Sequence, residues 1–375
     1  MSTSRIRVAH VMHGLMMGGL EQVVVRLCEE GRQLGVDPIV VSFGPDGSVR
    51  ELLERHAIPL VYLGEAVRGM SPQAIQSIAR GFREHRVDVA HAHDMGPWLN
   101  AVAARALAPR VRPIVTFHQI AMPAGFERGA AIAAALVSDA LVACGEEVRT
   151  CVRRWAPPGA RIELIGNGVP IGPPPTPEGR SEARAQIGLP PGARVLGYLG
   201  RLHQEKGVDL LVDAFLESFA EREDVHLVLI GQGRLEPELR ARAEQSGCRR
   251  IHFLGEIVPA SSLLPGFDVY VQPSRREGRS LSMLEAMAAG LPTLAQGLPA
   301  IREIHVDSST AILVPPTARP AFGAAMLKLI DDEELRARMG RRAREQVRRH
   351  SVEAMAEAYA QLYEEVLGGR RRMAN

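Results

Sequence analysis

Short runs of apolar and β-branched residues alternate with stretches whose apolar positions recur at helical spacing along most of this chain. In the first half the runs predict strands near residues 6–12, 38–43, 59–63, 87–91, 112–117, 139–143 and 162–165. Between the first two, Leu20, Val23, Val24 and Leu27 mark one face of a helix from Gly19 to Leu34. Strands that alternate with helices predict βα units and parallel sheets. The pattern breaks at NGVPIGPPPTPEGRSEARAQIGLPPGA, residues 167–193, where prolines at 170, 173, 174, 175 and 177 forbid regular structure in the first part. It resumes with strands near 194–199, 225–230, 250–254, 268–272, 292–296 and 311–314. The expected fold is therefore α/β, with two doubly wound, Rossmann-like domains over residues 1–170 and 194–350 and a linker over 171–193. A last helix is expected over 351–368. Its periodicity leaves its partner domain open, packing back onto the first domain being one arrangement. Two such units would enclose a cleft lined by the carboxyl ends of both sheets, where open α/β sheets bind ligands.

A chain of 375 residues exceeds the roughly 250 at which single cores stop growing, in keeping with two domains. Its 45 basic and 43 acidic residues leave a net charge of +2, so no global field draws nucleic acid. Any bound anion must be met by local groups. The basic residues are almost all arginine; Lys206 and Lys328 are the two lysines. A lysine kept against that bias marks a place where a compact ammonium suits better than a guanidinium. The four cysteines, Cys28, Cys144, Cys151 and Cys248, form no CxxC and predict reduced thiols. The first residues run into a strand without a signal-peptide pattern, and no apolar run reaches the ~20 residues of a membrane span. The expected location is cytoplasmic.

Two constellations carry chemistry. In Gly200-Arg201-Leu202-His203-Gln204-Glu205-Lys206-Gly207 a buried strand ends and two cations follow, five residues apart, before a helix opens. That turn can wrap a diphosphate, Arg201 forking onto two oxygens and Lys206 acting as a point charge. A βα turn with solvated charges is the bland alternative. In the second, QPSRREGRSLSMLEAMAAGLP over 272–292, Glu277 lies in a loop and Glu285 on the second turn of a helix starting near Ser280. Two carboxylates at a sheet's carboxyl edge suit sugar and ribose hydroxyls, and the N–H groups around Ser280 and Leu281 suit phosphate oxygens. Here a capped helix with surface acids is the alternative. Gly18 and Gly19 lie between the first strand and its helix and permit close backbone approach, although GxGxxG is absent. His118 follows the strand Ile114–Phe117, and His91 and His93 point to one face of another. Neither D-x-D nor a histidine–carboxylate cluster with metal-ligand spacing is visible.

Taken together, HGLMMGGLEQVV, LIGNGVP, GRLHQEKG and PSRREGRSLSMLEAMAAGLP resemble family 4 of the retaining glycosyltransferases, in the family's order and over nearly the whole chain. The pairing of E-x7-E with G-R-x4-K-G is the specific part. The resemblance implies a bacterial-type GT-B fold and a hexosyl group moved from a UDP-, GDP- or ADP-sugar to an acceptor hydroxyl, in polysaccharide, glycolipid or glycoconjugate synthesis. It implies Arg201 and Lys206 at the diphosphate, Glu285 at the ribose, Glu277 at the sugar and His118 near the transferred group. Gly18, Gly19, Gly231, Gly278, Ser280 and Leu281 complete the implied donor site. No metal or cofactor is expected: cations and helix N-termini would stabilise the leaving diphosphate. Arg279 and the segment Asp307–Ala311 depart from the family pattern, the first near the sugar pocket. A sugar-nucleotide epimerase and a non-catalytic nucleotide-sugar binder remain alternatives. The apolar loop Ile120–Phe126 and the tail Arg370–Arg372 hint at a lipid-linked acceptor and peripheral contact with the inner face of the membrane.

Overall fold

The computed structural model describes residues 5–64, 70–120, 122–305, 309–316 and 318–373, with side chains as far as 368. The chain divides into two units, Met1–Gly168 with Val352–Asn375, and Val169–Ser351. In the first, strands β1 (Ile6–Met12), β2 (Val36–Ser42), β3 (Leu60–Tyr62), β4 (Val89–His93), β5 (Arg112–Phe117), β6 (Ala140–Ala143) and β7 (Ile162–Leu164) form one sheet. Their order is β3-β2-β1-β4-β5-β6-β7, and all pairs are parallel. In the second, β8 (Arg194–Leu199), β9 (Val225–Ile230), β10 (Ile251–Phe253), β11 (Val269–Gln272), β12 (Thr293–Gln296) and β13 (Ala311–Val314) follow the order β10-β9-β8-β11-β12-β13. These pairs too are parallel. Helices cover both faces of such sheets, so central strands are mostly apolar; β9 is buried along its whole length, with His226 as its one polar residue.

Each order reverses once, between β1 and β4 and between β8 and β11. Connections on the two sides of a reversal leave in opposite directions and open a crevice at the strands' carboxyl ends. The loops after β8 and β11 carry the two constellations singled out above.

Trp98, Phe117 and Trp155 form the aromatic centre of the first unit, with Trp98 and Trp155 each edge-on to Phe117 at 5.6 and 5.8 Å. In the second unit Phe267 packs so close to β8 that a Cβ on Gly197 would lie 1.9 Å from its ring, which explains a glycine inside a buried strand.

One expectation needs correction. The stretch 171–193 is not a structureless linker: a helix runs over Pro177–Ile187 and belongs to the second unit. Pro177 does not break it, because at the first helical turn proline lacks only an N–H that had no partner. Thr176 caps its start by accepting from the Gly179 N–H, and Gly188 ends it in the left-handed conformation. Arg180 and Arg184 then fork onto Asp268 at 2.6 and 2.9 Å, while Asp268 also accepts from the Val195 N–H at 2.7 Å. The terminal helix Val352–Met373 joins the first unit. Its Tyr359 hydroxyl lies 2.8 Å from Thr116 Oγ1, its Tyr363 hydroxyl 2.7 Å from His91 Nδ1, and Arg161 reaches Glu365.

Candidate active site

The geometry of the second unit's switch point is set by glycines. Gly207 has φ +65°, and a Cβ there would lie 2.1 Å from the Pro273 carbonyl oxygen, so the loop after β8 rests directly on the backbone after β11. Arg275 N–H donates to the Glu205 carbonyl at 2.9 Å, and the Arg275 guanidinium holds Gln204 O and both oxygens of Asp209 at 2.6–2.7 Å. The two loops are thus laced together.

That lacing brings Lys206 to Glu277, 71 residues away. Lys206 Nζ donates to Glu277 Oε1 at 2.8 Å, with the lysine side chain 20 % and the carboxylate 5 % exposed. Oε1 also accepts from Gln272 Nε2 at 2.7 Å and Ser274 Oγ at 2.6 Å. Tyr270 donates to Gln272 Oε1 at 2.6 Å, fixing the amide's orientation. Burial and the nearby Glu277 push the Tyr270 hydroxyl's pKa far up, so it remains a donor. All the bonds on Glu277 thus fall on Oε1, leaving Oε2 without one among the described residues. Likewise two of the three ammonium protons of Lys206 carry no bond there.

Gln272 and Ser274 were not singled out in the sequence. Their signal was the strand end Gln-Pro-Ser, which by itself reads as a turn.

Arg201 does not join this network. Its side chain is 64 % exposed and paired with Glu205 at 2.6 Å, an open cation beside a largely buried one. Ser280 caps the helix Leu281–Ala288 through Met283 N–H, so the N–H groups of Leu281 and Ser282 lack intrahelical partners. Gly278 precedes this start, and Glu285, partly exposed, stands on the second turn. Gly231 has φ +128°, and a Cβ would lie 2.1 Å from Gly200 O; its N–H donates to Gly255 O at 2.7 Å. These contacts give Gly231 a turn-forming role that needs no ligand. Arg279 turns out to be 5 % exposed and tied to Glu303 at 3.1 Å and His350 Nδ1 at 2.8 Å. Its charge is used inside the unit, on Glu303 and His350.

In the first unit Gly18 is the extended N-cap of the 15-residue helix Gly19–Gln33, without a side-chain cap. A Cβ on Gly18 would lie 2.6 Å from Glu21 Oε2, and Gly19 is exposed. His118 follows β5. Its N–H donates to Asp94 Oδ1 at 2.8 Å, and its Nε2 lies 3.1 Å from His93 Nδ1. Burial lowers its pKa, opposed by Asp94. His10, His91 and His93 come within 4.8 Å of one another through their ring nitrogens, a cluster of metal-binding size that sequence spacing did not predict. His10 sits 81 residues before His91, and strand register alone unites them. The nitrogens of His91 and His93 are already engaged, by Tyr363, Thr116, His10 and His118. Ala121 of the apolar loop, Asp307 and Ser308, and the side chains of Arg370–Arg372 lie outside the described residues.

Comparison with known proteins now decides the family. The model described as Glycosyl transferases group 1 matches residues 179–346, and that described as Glycosyltransferase Family 4 matches residues 17–172. The chain is a family 4 glycosyltransferase. Among its relatives is the phosphatidyl-myo-inositol mannosyltransferase of Mycobacterium leprae, 29 % identical over 366 residues and 93 % of each chain. The D-inositol 3-phosphate glycosyltransferase of Streptomyces avermitilis is 25 % identical, over 95 % of this chain and 84 % of its own. The crystal structure of Anabaena Alr3699/HepE with UDP and glucose matches at TM-score 0.85 and 20 % identity, covering 96 % of this glycosyltransferase and 100 % of that chain, which establishes the GT-B fold. No described helix is long and apolar enough to cross a membrane.

Proposed function

We propose that this glycosyltransferase moves a hexosyl group from a nucleoside-diphosphate sugar to an acceptor hydroxyl, with retention of anomeric configuration and without a metal. Lys206 and Arg201 neutralise the donor diphosphate, Glu285 holds the ribose hydroxyls, and Glu277 binds the sugar through Oε2. The Leu281 and Ser282 N–H groups add donors to the phosphates. Gly18, Gly19 and His118 keep their donor-side roles. The observation that carries this reading is the Lys206–Glu277 pair at the switch point, 2.8 Å apart, with Glu277 Oε2 and two ammonium protons unbonded among the described residues. A carboxylate held by an ammonium and two neutral donors is a poor nucleophile and a good hydroxyl acceptor. The leaving phosphate takes the acceptor's proton as the new glycosidic bond forms on the same face and the old one breaks.

Relatives named for phosphatidyl-myo-inositol and D-inositol 3-phosphate support an acceptor that bears inositol or a lipid anchor, and hence work at the inner membrane face. The structural neighbour solved with UDP and glucose favours UDP-sugars as the first donors to try.

The test is a screen of UDP-, GDP- and ADP-sugars for thermal stabilisation, followed by turnover in chelator. One donor at a hundred times its Kd should add about 2.7 kcal/mol. Lys206→Ala should abolish most of that gain and the turnover. If Lys206→Ala binds and turns over donor like the parent, the assignment fails.

A further inference from the structure

Three histidines from adjacent strands of the first unit form a continuous row. His10 on β1 is in register with His91 on β4, and His93 lies two residues further, on the same face of the pleat. His10 Nδ1 is 3.1 Å from His93 Nε2, and His93 Nδ1 is 3.1 Å from His118 Nε2. The His93 ring is stacked on both neighbours, at 5.4 and 5.3 Å between centroids. His91 stands beside the row, its own nitrogens turned to Tyr363 and Thr116 at 2.7 Å. Among these groups Asp94 is the one carboxylate bonded to His118, through the backbone N–H.

A hydrogen bond between two neutral imidazoles holds one proton, so the row has two states. Either the protons sit on Nε2 of His118 and His93, or they sit on Nδ1 of His93 and His10. The second state would put the remaining proton of His118 on Nδ1. That atom is buried and has no partner among the described residues. A buried lone pair without a partner is tolerated far better than a buried N–H without one. The first state puts the His10 proton on Nε2, which is not among the buried atoms left without a partner, so the His118 end favours that state: His118 donates to His93, and His93 donates to His10. Neutrality of the row follows from burial, which holds all three pKa values below the ordinary histidine range.

We propose that His93 and His10 are positioning residues that hold His118 as the uncharged Nε2–H tautomer, with its ring plane fixed, for its part in glycosyl transfer. The proposal rests on the donor-side role assigned to His118. With Nε2 committed to His93, the ring nitrogen left for a sugar hydroxyl is Nδ1, which in this tautomer is an acceptor without a partner among the described residues.

The experiment is long-range ¹H–¹⁵N correlation on ¹⁵N-histidine-labelled full-length protein at neutral pH, with steady-state kinetics beside it. His118 and His93 should both show the Nε2–H pattern. His93→Leu, which removes the acceptor, should give His118 mixed tautomers and lower kcat at least about tenfold with a smaller change in donor KM. His93→Asn places an amide oxygen near the position of Nδ1 and should restore the Nε2–H tautomer and much of kcat. Should His93→Leu fail to fold, the parent spectrum and the Asn variant still decide. An Nδ1–H or doubly protonated His118 in the parent overturns the proposal. So does a stoichiometric transition metal in the purified protein, because it would occupy the same nitrogens. Absence of any transferase turnover in the parent would instead count against the proposed function, leaving the tautomer readout intact.

Discussion

Acid should destabilise the first unit at pH values above the ordinary carboxylate range. Burial lowers the pKa of His10 from 6.5 to about 3, and holds His91 and His93 well below 6.5. A histidine depressed in the folded state binds its proton only on unfolding. Its contribution is therefore fully present above pH 6.5 and is lost as pH falls from 6.5 towards 3. At pH 5, one and a half units below the unfolded value, His10 alone accounts for about 2 kcal/mol lost. His91 and His93, likewise depressed by burial, act in the same direction. The molecule carries its own probe, because both of its tryptophans, Trp98 and Trp155, are buried in this unit. Urea unfolding followed by tryptophan fluorescence should show the midpoint falling steeply between pH 7 and pH 5. His10→Asn removes one titrating group while keeping an acceptor for His93, and should flatten the dependence by about 1.4 kcal/mol per pH unit near pH 5. Equal midpoints at pH 7 and pH 5, or an unaltered slope in His10→Asn, would show that these imidazoles are not held neutral.

Two further outcomes follow from the second unit. Gly207→Ala forces a Cβ to 2.1 Å from Pro273 O at a positive φ, and should cost at least about 3 kcal/mol in calorimetric unfolding. Gly188→Ala, also at positive φ but with nothing within 4 Å, should cost only about 1 kcal/mol, so similar losses would refute the steric argument. Gln272→Met keeps volume but removes the amide that orients Glu277, and should lower kcat about tenfold with little change in nucleotide affinity; an unchanged kcat would reduce Gln272 to a packing role.

Most of the strands were legible because parallel strands covered on both faces are predominantly apolar, and runs such as Val225–Ile230, with His226 as the one polar residue, have few other uses. What stayed hidden was whatever depends on register or on the other end of the chain. Pro177 looked like one more helix breaker among Pro173, Pro174 and Pro175, since its helix-starting role depends on Thr176 and on Asp268 far downstream. Glu277 was visible as a candidate, but its partnership with Lys206 depends on Gly207 touching Pro273. Arg279 was visible as a departure from the family pattern, but its partners Glu303 and His350 lie 24 and 71 residues downstream. The alternation of His91 and His93 announced a shared face, yet nothing local could announce that His10 completes it.

The two switch points handle polarity in opposite ways, and the difference follows from how each is built. Beside β8 and β11 the polar groups sit on loops, partly open to water, where an ammonium and a carboxylate can face each other and still exchange partners with a charged ligand. Beside β1 and β4 they sit within the strands, sealed by the terminal helix through Tyr359 and Tyr363. Charge is expensive there, and hydrogen bonding without charge is the stable solution. Residue type follows the same division: the conspicuous lysine of an arginine-rich chain lies in the loop after β8, while the buried row is built from the one basic side chain that can give up its charge.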